Sequence, residues 1–151
     1  MGAFPTGVAV VTALDGGGHA RGLKCNALCS VSADPPLMLV SVDRTSTTLP
    51  AIRRSGRFAV NYLAAGREEI ARLFASKEPD KFSEVPWQPA PGGMPWLHQD
   101  AIALAECDIE QEIDAGDHVI FIGRVTGGQP PAPESRPLLY YRREYGTITG
   151  R

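Results

Sequence analysis

The stretch "CNALCSVSADPPLMLVSV", Cys25 to Val42, places small and hydroxyl side chains, Asn26, Ala27, Ser30 and Ser32, directly ahead of a Pro-Pro pair and a nearly pure apolar run. Pro35 and Pro36 fix an extended approach, and "LMLVSV", Leu37 to Val42, reads as a strand buried on both faces or set in a barrel wall. Bulk ahead of such a strand would bury more apolar surface, so packing alone does not account for the small residues. Ser30 and Ser32 lie two apart and therefore share one face of an extended segment. They form either the polar side of an edge strand or, with Asn26 and Ala27, a floor on which a flat aromatic ligand lies with its edge polar atoms satisfied.

Working outward, "FPTGVAVVTAL", Phe4 to Leu14, is rich in β-branched residues and ends at "DGGG", Asp15 to Gly18, which predicts a hairpin. Downstream of the decisive stretch, Ser46 or Thr47 can cap a short helix with Leu49 and Ile52 inward and Gly56 at its stop. "RFAVNYL", Arg57 to Leu63, alternates as a strand, and "REEIARLFASK", Arg67 to Lys77, reads as a second helix with Ile70, Leu73 and Phe74 on one side. The order so far is β-β-β-α-β-α.

Between Glu78 and Gln99 lie five prolines, two glycines and both tryptophans, the composition of a long ordered loop rather than of a repeating element. "AIALAECDIEQEI", Ala101 to Ile113, then puts Ala103, Ala105, Cys107, Ile109 and Ile113 on one face and Glu106, Asp108, Glu110 and Glu112 on a solvent face. "DAGD" turns it into His118 to Val125, and a Pro-rich turn, Pro130 to Pro137, leads to a last strand at "LLYYR". The pattern predicts a single mainly-β domain over residues 1–151 with two or more short helices, arranged as a closed antiparallel barrel that removes its own edges. A doubly wound parallel sheet is disfavoured because strict strand-helix alternation is missing.

A net charge of −2 supplies no basic footprint for nucleic acid. No apolar run is long enough to span a membrane, and the odd set Cys25, Cys29 and Cys107 fits a reducing compartment, so the cytoplasm is the expected location. No G-x-G-x-x-G opens a helix, no P-loop is present, no G-x-S-x-G elbow exists, and no Cys or His spacing makes a convincing metal site. What remains is a group of hydroxyls, small residues and cations around the first buried strand and first helix. Ser46, Thr47 and Thr48 offer either a simple helix cap or hydroxyls and backbone N–H groups for a phosphate.

The segments "FPTGVAVVTA", "GLKCNALCSVSADPPLMLV", "FASKEPDKF", "AGDHVIFIGRV" and "PLLYYRREYG" fall in the order and spacing of the flavin reductase-like family, which the chain resembles over nearly its whole length. These short-chain NAD(P)H:flavin oxidoreductases are the reductase components of two-component flavin-dependent monooxygenases. The resemblance implies an FMN-binding split β-barrel, a homodimer, FMN or FAD in a groove near the subunit interface, and NADH or NADPH stacked on the exposed ring face. It carries Lys24, Cys25, Asn26 and Ala27 to the isoalloxazine with Ser30 and Ser32 nearby, and Ser46 and Thr47 to the phosphate side, helped by Lys77 or Lys81. His118 matches the position beside the nicotinamide, and Tyr141 and Tyr145 are expected to close the pocket, from the same subunit or its partner. Where the family usually shows Thr ahead of its small-Asn-small unit this chain has Lys24, a cation placed to offset negative charge as it grows on the reduced flavin.

Two rival readings accompany this one. A barrel that holds flavin as a carrier or electron-transfer protein would not oxidise NAD(P)H, and a pyridoxamine oxidase-like enzyme would need a second basic phosphate site. For His118 the alternative is a turn residue beside Asp117, and for Lys24 a solvated surface lysine.

Overall fold

The computed structural model describes residues 2–149. The first apolar run divides into β1 (Thr6–Gly7) and β2 (Ala9–Leu14) instead of forming one strand. At Val8 the N–H donates to the Leu138 carbonyl while the Val8 carbonyl accepts from Leu63, so the chain changes sheets at that residue. The expected turn then delivers β3 (Ala20–Cys25), with Gly18 at φ 77°, where glycine is unstrained.

Next come β4 (Leu28–Ala33), a strand beyond the predicted order, then β5 (Pro36–Asp43), α1 (Leu49–Ser55), β6 (Arg57–Leu63) and α2 (Glu68–Ala75). Within the Pro-rich segment a small hairpin pairs β7 (Gln88–Pro89) with β8 (Pro95–Trp96). Long strands β9 (Ala101–Ala115) and β10 (His118–Gln129) follow, and the chain closes with the hairpin β11 (Leu139–Tyr141) and β12 (Glu144–Gly146).

Seven strands form one antiparallel sheet in the order β3-β2-β6-β9-β10-β5-β4, while β1, β11 and β12 form a second, smaller sheet. The hydrogen-bond ladder does not close on itself, contrary to the closed barrel expected, for β3 and β4 end it. Yet Cys25 ends β3 and Leu28 begins β4. Three Cα steps reach about 11 Å at most, whereas six strand spacings in a flat sheet would separate these edges by about 29 Å. The sheet must therefore curl until its margins lie side by side at Asn26 and Ala27.

The curled interior holds Ala9, Val11, Cys25, Val40, Phe58 and Phe121, and Leu49 and Ile52 of α1 pack into the same cluster. A second cluster on the outer side of β2 joins Val8 and Val10 to Phe74 of α2, Leu97 and Leu138. β2 is thus covered on both faces. Each large side chain so buried contributes roughly 1.5–3 kcal/mol of transfer free energy.

Three details depart from what the sequence predicts. In β5 only Met38, Val40 and Val42 are buried, whereas Leu37, Leu39 and Ser41 are half-buried, so the strand is not covered on both faces. In β4 a bulge at Val31 sets Ser30 opposite Met38 and Ser32 opposite Leu37, which are neighbours on opposite faces of β5. The two serines consequently do not form one floor. Glu106 was expected in solvent but is 2% exposed. The Pro-rich segment covers it, and its carboxylate accepts from the N–H groups of Gly92 (2.9 Å) and Met94 (3.4 Å).

Candidate functional site

A cavity of about 970 Å³ opens between β3, the turn from Asp43 to Thr47 and the segment that follows α2. Lys24, Ser46, Thr47, Lys77 and Lys81, all expected site residues, line it together. They arrive from separate parts of the chain because the curl brings edge strand β3 beside the end of β5. The turn is built by Asp43, whose carboxylate accepts from both the N–H and the hydroxyl of Thr45 at 2.7 Å. The Thr45 hydroxyl, then its N–H, holds the Asp43 carboxyl below the usual carboxylate range. Ser46 Oγ accepts from the Thr48 N–H at 3.2 Å, and Thr48 is the N-cap residue of α1, so the cap expected of Ser46 or Thr47 has shifted along the chain.

The cations differ in freedom. Lys81 Nζ donates to the carbonyls of Phe74 (3.1 Å) and Gly22 (3.4 Å), tying the end of α2 to β3. Lys24 Nζ stands 4.4 Å from the centroid of the Tyr140 ring. Burial pushes both ammonium groups below the ordinary lysine value.

Around the β3–β4 junction a second cavity of about 680 Å³ is lined by Asn26, Ala27, Leu28, Leu39 and Tyr62, with Phe4 at its rim. A third, of about 430 Å³, holds Tyr141, Glu144 and Tyr145. Within one chain the two expected tyrosines therefore stand apart from the cationic cavity, and it is Tyr140 that reaches Lys24.

Cys25, Ser30, Ser32 and His118 line none of these three cavities. The Cys25 thiol is turned into the core, 3.6 Å from the Ala27 carbonyl, and burial raises it above the ordinary thiol value. Ser30 is exposed and Ser32 half-buried on the sheet margin. His118 pairs across the ladder with Asp43, a lining residue of the first cavity, and its Nδ1 is 2.7 Å from the Asp117 carboxylate. It stands beside the rim.

Over residues 1–149 the chain matches the model of the flavin reductase like domain. The chain belongs to the flavin reductase-like family. A flavin reductase (NADH) of Kitasatospora aureofaciens is 47% identical over 146 residues, covering 96% of this chain and 76% of that protein. A flavin reductase (NADPH) of Lentzea aerocolonigenes is 43% identical over 150 residues, covering 99% and 86%. A crystal structure of a nitrilotriacetate monooxygenase component B homologue from Mycobacterium thermoresistibile is 37% identical with a TM-score of 0.90, covering 98% of this chain and 82% of that one.

The donor set of this flavin reductase-like chain fits a flavin phosphate. Ser46, Thr47, Arg21, Lys24, Lys77 and Lys81 line one cavity with the carboxylates Asp15, Asp43 and Glu78, so its cations exceed its acids by one and hydroxyl donors stand beside them, a lining that suits an anion. Sequence reasoning missed Arg21, Asp43, Thr45, Tyr62 and Tyr140, which line or overlook the cavities. The Asp43 and Thr45 pair carries a local signal, an Asx turn two residues long; the others sit in strands where only three-dimensional placement distinguishes them.

Proposed function

We propose that the isoalloxazine of FMN or FAD rests against the Asn26–Ala27 junction while its phosphate end enters the cavity of Ser46, Thr47, Lys77 and Lys81, with NADH or NADPH approaching the open ring face. NAD(P)H-dependent reduction of flavin is the activity, and the reduced flavin feeds a partner monooxygenase. The single observation that carries the site assignment is the meeting of Lys24, Ser46, Thr47, Lys77 and Lys81 in one cavity beside the junction of the sheet margins.

Bound flavin supplies a ring nitrogen that accepts hydride from the nicotinamide. No side chain needs to bond covalently to either reactant, so the chain's work is placement. Ala27 leaves room for a ring, and the Asn26 amide offers both a donor and an acceptor to its polar edge. Good orientation of two reactants is worth roughly 7–11 kcal/mol at best. Lys24 supplies positive charge beside the pocket, where it strengthens as the reduced ring becomes negative. His118, at the rim, is assigned to the nicotinamide or its carboxamide.

The assembly is read as a split β-barrel homodimer. Phe4, Tyr141 and Ile148 are 76%, 42% and 57% exposed, and a second copy that covered them would also bring Tyr141 and Tyr145 toward the flavin. Mixing the purified protein with flavin and NADH without oxygen is expected to bleach the flavin's visible absorbance. Flavin that binds and stays yellow would establish a carrier instead.

A further inference from the structure

The cationic cavity extends past what a mononucleotide uses. With the ring at Asn26, β3 acts as a ruler: at about 3.4 Å per residue Lys24 lies about 7 Å from the junction and Arg21 about 17 Å. Both line the same cavity. The first phosphate, one ribityl chain from the ring, falls among Ser46, Thr47, Lys77 and Lys81, the residues already assigned to it, which leaves the arginine without a role in holding it. A recess of about 20 Å³, room for one water, shares Arg21, Thr47 and Lys81 with the main cavity, so any ligand beyond Arg21 stays within the main cavity or its open mouth.

Arg21 is fixed in place. Its Nε and Nη2 each lie 3.0 Å from Asp15 Oδ2, leaving Nη1 outside that pairing. Asp15 in turn accepts from the N–H groups of Gly17 and His19, both at 2.9 Å. The His19 N–H foremost, with Gly17 and Arg21 adding to it, holds the Asp15 carboxyl at about 2, so the anchor is ionised throughout the working range. Four cations, Arg21, Lys24, Lys77 and Lys81, line the cavity with three carboxylates, Asp15, Asp43 and Glu78, which leaves one positive charge in excess. Asp15 balances the charge of Arg21 but leaves its Nη1 as a hydrogen-bond donor. A planar guanidinium held on one side by a carboxylate presents its remaining N–H groups in the geometry phosphate oxygens accept.

We propose that Arg21, held by Asp15, receives the second phosphate of a dinucleotide flavin, so that the enzyme takes FAD in preference to FMN. This rests on the first cavity being the flavin site. Equilibrium titration of the native protein with FAD and with FMN is expected to give tighter binding of FAD by about tenfold or more, the value of a hydrogen bond to a charged group. Arg21→Ala should bring the two affinities together through loss of FAD binding, and Arg21→Lys, which keeps a charge for Asp15, should give an intermediate ratio.

FMN binding equal to or tighter than FAD, or a ratio unchanged in both variants, would overturn the proposal while leaving the flavin site intact. A native protein that binds neither flavin would remove the site reading itself. If Arg21→Ala fails to fold, Arg21→Lys still decides, because the ratio must fall. A rise in the Michaelis constant for NADH or NADPH with the FAD affinity unaltered would reassign Arg21 to the nicotinamide dinucleotide and overturn the inference as well.

Discussion

Lys24 is the residue on which ring chemistry and packing meet, since it lines the cavity and also caps the Tyr140 ring. Lys24→Ala is expected to raise the flavin Kd by about fivefold, roughly 1 kcal/mol, and to lower the reduction rate; a cation over an aromatic face in a partly exposed site is worth a similar amount. Calorimetric titration and stopped-flow bleaching would test this, and unchanged values in both would reduce Lys24 to a packing partner of Tyr140. For His118→Ala, steady-state kinetics should show a raised Michaelis constant for NAD(P)H or a slower turnover; if neither changes, the rim position carries no contact. The thiols make a separate prediction at the same scale. Burial pushes Cys107 up to about 12 and raises Cys25 as well, whereas Cys29 is exposed on β4. A thiolate-directed reagent at mildly alkaline pH should therefore label Cys29 alone, as peptide mapping would reveal.

At the scale of elements, the Pro-rich segment is anchored by two buried polar side chains from β6 and β9. Asn61 donates from its amide nitrogen to the Val10 carbonyl and the Thr12 hydroxyl, both 3.2 Å, and its carbonyl oxygen accepts from the Leu97 N–H at 2.8 Å. Asn61→Ala leaves that N–H buried without its partner and is expected to cost about 1–3 kcal/mol, read as a lower urea midpoint. The β11–β12 hairpin turns through Arg142 and Arg143, at φ 50° and 68°, a conformation that glycine adopts freely. Arg143→Gly should relieve the turn and raise the midpoint slightly.

Much at this scale was legible beforehand. The two helices and the strands from Arg57 to Leu63 and at Ala101 onward followed from hydrophobic spacing, although β6 is buried on both faces and β9 also buries Leu104 and Glu106. Where a residue is inserted the pattern misleads. The bulge at Val31 removed the shared face of Ser30 and Ser32, and no side-chain type announces it. Glu106 misled for another reason, because a carboxylate accepting two backbone N–H groups looks in sequence like any solvated acid. That Ser46, Thr47, Lys77 and Lys81 lie near one another was expected from the family resemblance, and they line one cavity. The division between the cationic cavity and the cavity at Asn26 and Ala27 depends on how the whole sheet bends.

For the whole molecule, the acidic outer positions of β9 form a ladder answered rung by rung. Asp108 meets Arg57 at 3.2 Å, Glu110 meets Arg124 at 2.6 Å, Glu112 meets Arg53 at 2.5 Å and Asp114 meets Arg44 at 2.8 Å. Each pair is largely solvated and adds little alone, but together they cancel what would be a strip of like charge. The Arg44 hydrogen bond, then its charge, holds Asp114 below the usual carboxylate value, and Asp43 and Asp15 are lowered as well. Groups whose carboxyls are depressed in the folded state stabilise it above the unfolded value of 3.8 and cease to do so as pH falls through the folded values, toward about 2 for Asp15. Stability measured by denaturant titration should accordingly be flat near neutrality and decline below about pH 4. Light scattering should return the mass of two chains, and a monomer with full activity would remove the need for a partner's Tyr141 and Tyr145.

The junction at Asn26 and Ala27 also sets how the molecule would come apart. Every hydrogen-bonded neighbour in the seven-stranded sheet survives if the chain is cut there, because the two strands it joins are not laddered to each other. A single nick would act like a slit down a rolled sleeve: regular backbone structure would persist in circular dichroism while the roll relaxed and the adjoining hollows lost their shape. Coenzyme retention, not secondary-structure content, would then be the sensitive gauge of whether that two-residue tether is whole.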